Sequence, residues 1–262
     1  MTIRTGTVDR AIVAGRRRRF DEGPFRGIAD YLFESAIGEP LEPQSLIARQ
    51  APGWVLPVHF HMQHQFQVVL RGSGRLGKHV LTPGTVHYTS PQSAYGPIVA
   101  GDEGLDYFTL RVLTDKGAWY LPDARPFMKA GLFKEQLWGC LPSSADTFSW
   151  RTLIPLRDDG LGAWAHTGDL GRSITLSEPT SDAGRFSVVI RGRFHTNEIV
   201  LGEGGCVYSG PLDQAPVFTA LEEKSELVVV QFPDHAVRND VPPDLQVAPS
   251  ARGRRVISSS PK

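Results

Sequence analysis

The chain contains little cysteine, and its two cysteines are far apart. Cys140 and Cys206 are the only ones among 262 residues, and they form neither a CxxC pair nor a zinc-finger spacing. This argues against a disulfide framework and against a structural zinc site. Because a chain of this length can bury a sufficient core without cross-links, we expect a protein of a reducing compartment, the cytoplasm.

Long apolar runs and an excess of one charge are also missing. No window approaches the ~18 uninterrupted apolar residues of a membrane helix, and the N-terminus has no short apolar core of a secretory signal. Basic and acidic residues balance at 28 each, which argues against a surface for nucleic acid or an anionic membrane. The run Arg16 to Arg19 could contact phosphate, but we prefer a solvated terminal segment. The expected partner is a small molecule or a protein.

Helical periodicity is scarce, whereas turn-forming residues are abundant. The chain has 27 glycines and 20 prolines, a combination that favours many short strands joined by tight turns. We therefore predict an all-β protein, with a short helix considered only near residues 133–137.

The sequence repeats itself at one fixed offset. Residues 66–72 read FQVVLRG and residues 186–192 read FSVVIRG, and 186 minus 66 gives 120. A single offset kept over such a distance predicts two equivalent β-domains. The same offset relates Gly84 to Gly204, Pro91 to Pro211, and the strand 106–110 to the strand 226–230.

The repeat divides the chain into five parts. A first β-domain is predicted at 44–112 and a second at 149–233, with an N-terminal segment at 1–43. The connecting segment, 113–148, carries many large apolar side chains, so we expect it to pack along one domain or across their interface. The tail, 234–262, is expected to be poorly ordered from Pro242 onward.

The segment with the candidate metal-binding histidines lies just before the first copy of the repeat. His59 and His61 are two residues apart, and on a strand such side chains share a face, so both imidazoles can bind one metal ion. Gln65 and Gln67 also have the same parity. If Gln65 faces the domain interior, Gln67 is predicted to do so as well.

This segment resembles the first motif of the cupin family, G(X)5HXH(X)3,4E(X)6G. Gln65 stands where the motif has glutamate, and the stretch 83–97 resembles the second motif, with Tyr95-Gly-Pro against its His-Gly-Pro. The positions that match the first motif are Gly53, His59, His61 and Gly72.

The resemblance implies two tandem cupin-type barrels, each a double-stranded β-helix or jelly roll, with a partly irregular connecting segment. It also implies that His59, His61 and Gln65 hold one divalent metal ion, for which zinc, iron and nickel are the candidates. Tyr95 takes the fourth ligand position. The second barrel is expected to carry no ligands, because the equivalent residues are Pro179, Ser181, Arg185 and Ala215.

Several roles stay open at this stage. Gln65 either binds the metal or orients a neighbour, because an amide offers only a neutral oxygen. Tyr95 is a ligand, a wall residue or a general acid, and His64 either replaces the missing ligand or lies at the pocket mouth. In the catalytic interpretation Tyr95 or His64 transfers a proton. Gln67 is a substrate contact or a buried structural hydrogen bond.

The adjacent residues His87 and Tyr88 point to opposite faces of their strand, so at most one of them faces inward. Tyr88 is preferred as the inward residue and as a substrate contact, provided that the outer face is solvated.

The resulting hypothesis is a metal-dependent cupin enzyme for a small oxygen-bearing organic substrate. Its reaction would be redox-neutral, as in an isomerase, cyclase or lyase, or it would be that of a dioxygenase. The alternative is a non-catalytic cupin that binds or senses a small anionic or sugar-like ligand. A structural role is favoured if side chains fill the first barrel. A homodimer is expected in each case.

Overall fold

The computed structural model describes residues 3–141, 149–176, 181–196 and 199–251, and strands dominate it. Over these residues the only α-helix is α1, Val8–Val13, so the all-β prediction is confirmed. Short 3-10 turns lie at Arg125–Phe127, Asp234–Val237, Pro243–Leu245 and Pro249–Ala251.

The strands form two units. The first unit contains β2 (Arg17–Phe20), β3 (Gly27–Phe33), β4 (Gln44–Gln50), β5 (Val55–Leu56), β6 (His59–Phe60), β7 (Gln65–Leu76), β8 (His79–Leu81), β9 (Thr85–Thr89), β10 (Ile98–Arg111), β11 (Trp119–Tyr120) and β12 (Gln136–Cys140). The second unit contains β1 (Arg4–Gly6), β13 (Arg151–Ile154), β14 (Gly162–Gly168), β15 (Ser173–Thr175), β16 (Arg185–Arg191), β17 (Phe194–Thr196), β18 (Ile199–Leu201), β19 (Cys206–Ser209), β20 (Val217–Ala220) and β21 (Ser225–Gln231).

The large sheets of the two units share the order of five strands, β9-β7-β10-β4-β3 in the first and β19-β16-β21-β14-β13 in the second. The first runs β12-β9-β7-β10-β4-β3-β2, with β5 on β10 and β8 on β7, and the second runs β1-β19-β16-β21-β14-β13. Strands related by the sequence repeat occupy equivalent places, namely β7 and β16, β9 and β19, and β10 and β21. Smaller sheets, β6 with β11 and β15-β20-β17-β18, accompany them.

Segments outside the expected domain limits complete both sheets. β12 comes from the connecting segment and pairs with β9, so the short helix considered near 133–137 was wrong. β1 comes from the N-terminal segment and pairs with β19 of the second unit. Each unit therefore borrows an edge strand from sequence that the repeat itself does not include.

The arginine run was also assigned wrongly, because Arg17–Phe20 forms the ordered strand β2. Arg17 donates to Asp30 over 2.6 Å, and Arg49 donates to the other oxygen of the same carboxylate over 2.9 Å. Asp30 is fully buried, and a buried carboxylate needs such partners. The run is thus part of the sheet of the first unit.

Alternation along β7 and β16 separates two environments. Phe66 of β7 faces the core between the units, where its ring lies 4.9 Å from that of Phe232, which in turn lies 5.8 Å from Phe186. Because successive side chains on a strand point to opposite faces, Gln65 and Gln67 point into the first unit. The outer face of this sheet is therefore covered by the second unit.

The part of the tail that the structure describes is packed, contrary to expectation. Ala248 is fully buried, and its amide donates to the carbonyl of Lys116 over 2.8 Å. Ser250 Oγ donates to the carbonyl of Ala118 over 2.6 Å. These contacts hold the tail against the segment that follows β10.

Among the described residues, no helix has the length and apolar character needed to cross a membrane.

Candidate functional site

The candidate site begins with His59, which is the first residue of β6. Its amide donates to the carbonyl of Tyr95 over 3.0 Å, and the amide of Tyr95 donates back over 2.9 Å. The two rings lie 4.5 Å apart, and the rings of His59 and His61 lie 5.4 Å apart. The local backbone thus brings together the three side chains that the two motifs indicated.

Both histidines are held by neighbours that accept from their rings. His59 Nδ1 donates to the carbonyl of Pro57 over 2.7 Å, which leaves Nε2 with the free lone pair. His61 Nδ1 lies 3.2 Å from the carboxylate of Asp115. Burial lowers the pKa of His59 to about 3, and burial followed by the charge of Arg111 lowers the pKa of His61. Both rings are neutral at pH 7.

Gln65 and Tyr95 are bonded to each other. Gln65 Nε2 donates to the phenol oxygen of Tyr95 over 2.7 Å. Burial raises the pKa of Tyr95 above its usual range, against the opposing effects of Arg111 and Gln65. The phenol therefore stays protonated and can donate its own hydrogen to a ligand.

The centre of the cluster is a residue that the sequence motifs did not indicate. Arg111, the last residue of β10, is 3% exposed. Its Nη2 lies 3.1 Å and 3.2 Å from the two ring nitrogens of His61 and donates to Gln65 Oε1. Its Nη1 donates to Gln44 Oε1. A buried guanidinium thus connects the histidine and the glutamine that were predicted to hold a metal ion.

Asp115 supplies the opposite charge. Its carboxylate accepts from the amide of Met62 over 2.9 Å. Burial acts to raise the pKa of Asp115, but the hydrogen bond from His61, the charge of Arg111 and the amide of Met62 outweigh it, so that the pKa is lowered. The carboxylate is ionised at pH 7 and balances the guanidinium of Arg111.

Gln67 lies on the same interior face, as its parity predicted. Its Oε1 is 2.9 Å from Nδ1 of His87, and Nε2 of His87 is 3.2 Å from Oε1 of Gln136. Trp138 of β12 stacks on His87 with ring centroids 4.2 Å apart. Beside them lies a cavity of about 10 Å³, which is room for about one water molecule. As these side chains are placed, this cavity is too small for an organic substrate.

His64 and Tyr88 lie elsewhere. His64 Nδ1 is 2.6 Å from the phenol oxygen of Tyr88, and its ring lies 4.9 Å from that of His235. Tyr88 packs on Phe66 in the core between the units. The preference for Tyr88 as the inward residue was wrong, because its face is covered by the second unit rather than by solvent. His87 is the inward residue instead.

The equivalent positions of the second unit contain no histidine. Ser181 Oγ donates to the carbonyl of Phe232, and Arg185 lies opposite Gln231 in the pairing of β16 with β21. Pro179 lies outside the described residues. Across the described ranges, no three histidine, cysteine, aspartate or glutamate side chains are grouped so that they could hold a metal ion.

The donor set can be compared with what a divalent metal ion requires. His59 and His61 are oriented by hydrogen bonds from their rings, as metal-binding histidines are. Gln65 does not fit, because its carbonyl oxygen accepts from Arg111 and its amide donates to Tyr95. His59 and His61 are of the right chemical type for a metal ion, but Arg111 lies within hydrogen-bonding distance of both ring nitrogens of His61, so as placed the four residues do not form a complete ligand set.

Sequence motifs missed Arg111 and Asp115, which follow His61 by 50 and 54 residues. One signal was available. Arg111 follows Thr109 by two residues at the end of an apolar strand, so both side chains point to the same interior face. A charged side chain on such a face needs a buried partner.

Comparisons with known proteins establish the fold but no close relative. No family model and no curated protein match the sequence. Solved structures do match. The nickel(II) complex of the pirin YhhW from Escherichia coli is 11% identical, covers 88% of this chain and 99% of its own, and has a TM-score of 0.56. A point mutant of oxalate decarboxylase from Bacillus subtilis is 13% identical over 83% of this chain and 74% of its own, with a TM-score of 0.54.

A third solved structure is salicylate 1,2-dioxygenase from Pseudoaminobacter salicylatoxidans with gentisate. It is 13% identical, covers 90% of this chain and 82% of its own, and has a TM-score of 0.52. These neighbours are cupin-superfamily proteins, so the expected cupin-type fold is confirmed. Identities this low establish the fold alone.

Proposed function

We propose that the protein is an enzyme that acts on a small oxygen-bearing organic substrate in the first of two cupin-type barrels. The observation that carries this proposal is the buried cluster around Arg111. Ionisable side chains with perturbed pKa values converge there, on the interior face of a β-unit. Such clusters are typical of functional sites.

In this proposal the charge of Arg111 stabilises negative charge that develops on a substrate oxygen. Tyr95 donates a proton or a hydrogen bond, because burial keeps its phenol protonated. Gln67 fixes a second polar group of the substrate. His64 has no part in the reaction, since its ring is bonded to Tyr88 on the opposite side of the sheet.

The proposal also draws on what the structural neighbours are. The solved proteins with this fold include a dioxygenase bound to gentisate and an oxalate decarboxylase. Gentisate and oxalate are small, oxygen-rich organic anions. A guanidinium matches a carboxylate in shape and charge, so a small carboxylate is the substrate class that best suits this cluster.

The metal-dependent form of the same enzyme is the second candidate. It is favoured by the ring of His59, whose Nδ1 donates to Pro57 and whose Nε2 is therefore free to bind a metal ion. One structural neighbour is a nickel(II) complex. His59 and His61 would hold the ion, with Gln65 as a third ligand once Arg111 no longer occupies its oxygen.

Turnover of small organic acids tests the proposal. Purified protein is incubated with a mixture that contains oxalate, salicylate, gentisate and simple hydroxy acids, and consumption is followed by NMR. We expect at least one acid to be converted by the wild-type protein, and to be converted on the order of 100-fold more slowly or not detectably by Tyr95→Phe. An acid that binds stoichiometrically but is returned unchanged would establish the non-catalytic alternative instead.

A further inference from the structure

The two units contain the same pair of side chains in exchanged positions. In the first unit the antiparallel register of β7 and β10 ends with Leu110 opposite Phe66, and the side chain of the next residue, Arg111, donates to Gln65 Oε1. In the second unit the register places Gln231 opposite Arg185. Arg185 follows Gln65 by 120 residues, and Gln231 follows Arg111 by 120 residues. Each unit thus has one arginine and one glutamine where the cupin motif has its glutamate ligand and the facing residue.

In the first unit the guanidinium occupies the atoms that a metal ion would need. Nη2 of Arg111 is within hydrogen-bonding distance of both ring nitrogens of His61, so whichever nitrogen is unprotonated can accept from it. The same Nη2 donates to Gln65 Oε1, and the amide of Gln65 holds the phenol oxygen of Tyr95. Of the two histidines and the glutamine that were expected to hold a metal ion, His59 alone keeps an unoccupied donor atom, its Nε2.

The charge balance of the cluster points the same way. Arg111 and Asp115 carry opposite charges and are both almost completely buried, with exposures of 3% and 4%. The group at the glutamate position is the neutral amide of Gln65. A divalent cation would add two positive charges beside a guanidinium, and among the described residues of the cluster no further carboxylate offsets them. Such a surplus is costly inside a protein.

We infer that the guanidinium of Arg111 takes the place of the metal ion, so that the site binds no divalent metal and offers a fixed organic cation to the substrate. This deepens the proposed function and rests on it for the presence of a substrate. Nε of Arg111 has no hydrogen-bond partner in the described structure. It is an additional donor for a substrate oxygen.

Metal content tests the inference directly. Tag-free wild-type protein is dialysed against nickel or zinc chloride and then against metal-free buffer, and bound metal is measured by elemental analysis and by titration calorimetry. We expect well below one equivalent. One equivalent of tightly held metal in the wild type, lost in His59→Ala, would overturn the inference.

Two variants show whether Arg111 is what excludes the metal. Gln65→Glu alone restores the glutamate of the motif but keeps the guanidinium, and we expect it to bind no metal because the new carboxylate pairs with Arg111. Gln65→Glu with Arg111→Leu removes the competing cation, and its affinity for nickel should rise at least about 100-fold. Adding His59→Ala to this double variant should abolish the gain.

Folding of each variant is checked by thermal unfolding and far-UV circular dichroism. A folded double variant without any gain in metal affinity would contradict the role given to Arg111. The metal measurements need no substrate, so their outcome is independent of the turnover assay. An active, metal-free wild type supports both the proposed enzymatic function and the inference that Arg111 replaces the metal ion. An active wild type with stoichiometric metal contradicts only the inference about Arg111.

Discussion

His59 and Tyr95 are joined by two backbone hydrogen bonds, with the amide of each donating to the carbonyl of the other over 3.0 Å and 2.9 Å. This pairing is an isolated bridge outside the main sheet. It holds the phenol of Tyr95 where Gln65 donates to it and where the ring of His59 lies 4.5 Å away. Residues from two separate motifs thereby form one cluster.

Replacing Tyr95 with phenylalanine should impair function far more than replacing Tyr88. Tyr95→Phe removes the hydroxyl that Gln65 contacts and leaves a buried amide without its partner. If the phenol acts as a general acid, turnover falls on the order of 100-fold or more. The same change at Tyr88, which lies between the units, should alter turnover less than about twofold. Steady-state kinetics on the converted acid compare the two variants.

Equal losses from the two tyrosine variants would contradict the placement of the site on the interior face of the first unit. Thermal unfolding of both proteins serves as the control, because each variant loses one buried hydrogen bond of roughly equal worth, about 1 kcal/mol.

The resemblance to the cupin motifs indicated that His59, His61, Gln65 and Tyr95 lie together, and strand parity alone indicated it for the two histidines. Parity along β7 also placed Gln67 correctly. Arg111 could not be found in this way, since its contact with Gln65 depends on the antiparallel register of β7 with β10. The repeat held a signal for it, because positions 111 and 231 exchange arginine for glutamine as positions 65 and 185 exchange glutamine for arginine.

The faces of β9 were assigned wrongly for a physical reason. Of the neighbours His87 and Tyr88, tyrosine is the better candidate for the interior face of the strand if the opposite face meets water. Here the other face of the sheet packs on the second unit, where Tyr88 joins the aromatic core. Parity alone does not say which of two buried faces is the interior of a unit.

Stability should fall as the pH drops below the ordinary histidine value. Burial lowers the pKa of His59, His64 and His87 to about 3 each. Between about pH 6.5 and pH 3 the unfolded chain therefore binds more protons than the folded protein, so acid favours unfolding. Each histidine costs on the order of 1 to 2 kcal/mol between pH 7 and pH 5.

His87→Gln tests one of these contributions. His87 takes up a proton on unfolding in acid, so removing it should reduce the slope of the unfolding free energy against pH by the contribution of about one proton. Urea denaturation at a series of pH values gives this slope. His195, which is exposed on β17, supplies a matched His→Gln control.

Truncating Phe66 should loosen the packing between the units. Its ring is fully buried and lies 4.9 Å from that of Phe232, so Phe66→Ala leaves a cavity and should cost about 3 to 5 kcal/mol of unfolding free energy. Phe133 is 76% exposed, and Phe133→Ala should cost less than about 0.5 kcal/mol. Chemical denaturation measures both values, and similar losses would argue against a shared core.

Arg111 and Asp115 should depend on each other for stability. Arg111→Met leaves the carboxylate of Asp115 buried without its balancing charge. Asp115→Asn likewise leaves the guanidinium of Arg111 buried without a balancing charge. The two charges interact through space and not as a direct ion pair, so leaving either one buried without the other should cost about 1 to 3 kcal/mol. The double variant removes both charges, so its loss should be smaller than the sum of the single losses by about 1 to 3 kcal/mol.

This coupling should depend on pH in one direction. The pKa of Asp115 is lowered in the folded protein, so its stabilising charge is present above the ordinary carboxyl pKa of about 4 and is lost as the pH falls through the folded value. A double-mutant cycle measured by urea denaturation at pH 7 should therefore show the coupling, and the same cycle in strong acid should show much less. Additive losses at pH 7 would mean that Asp115 does not balance the guanidinium, and the electrostatic case for an arginine in place of a metal ion would then lose its support.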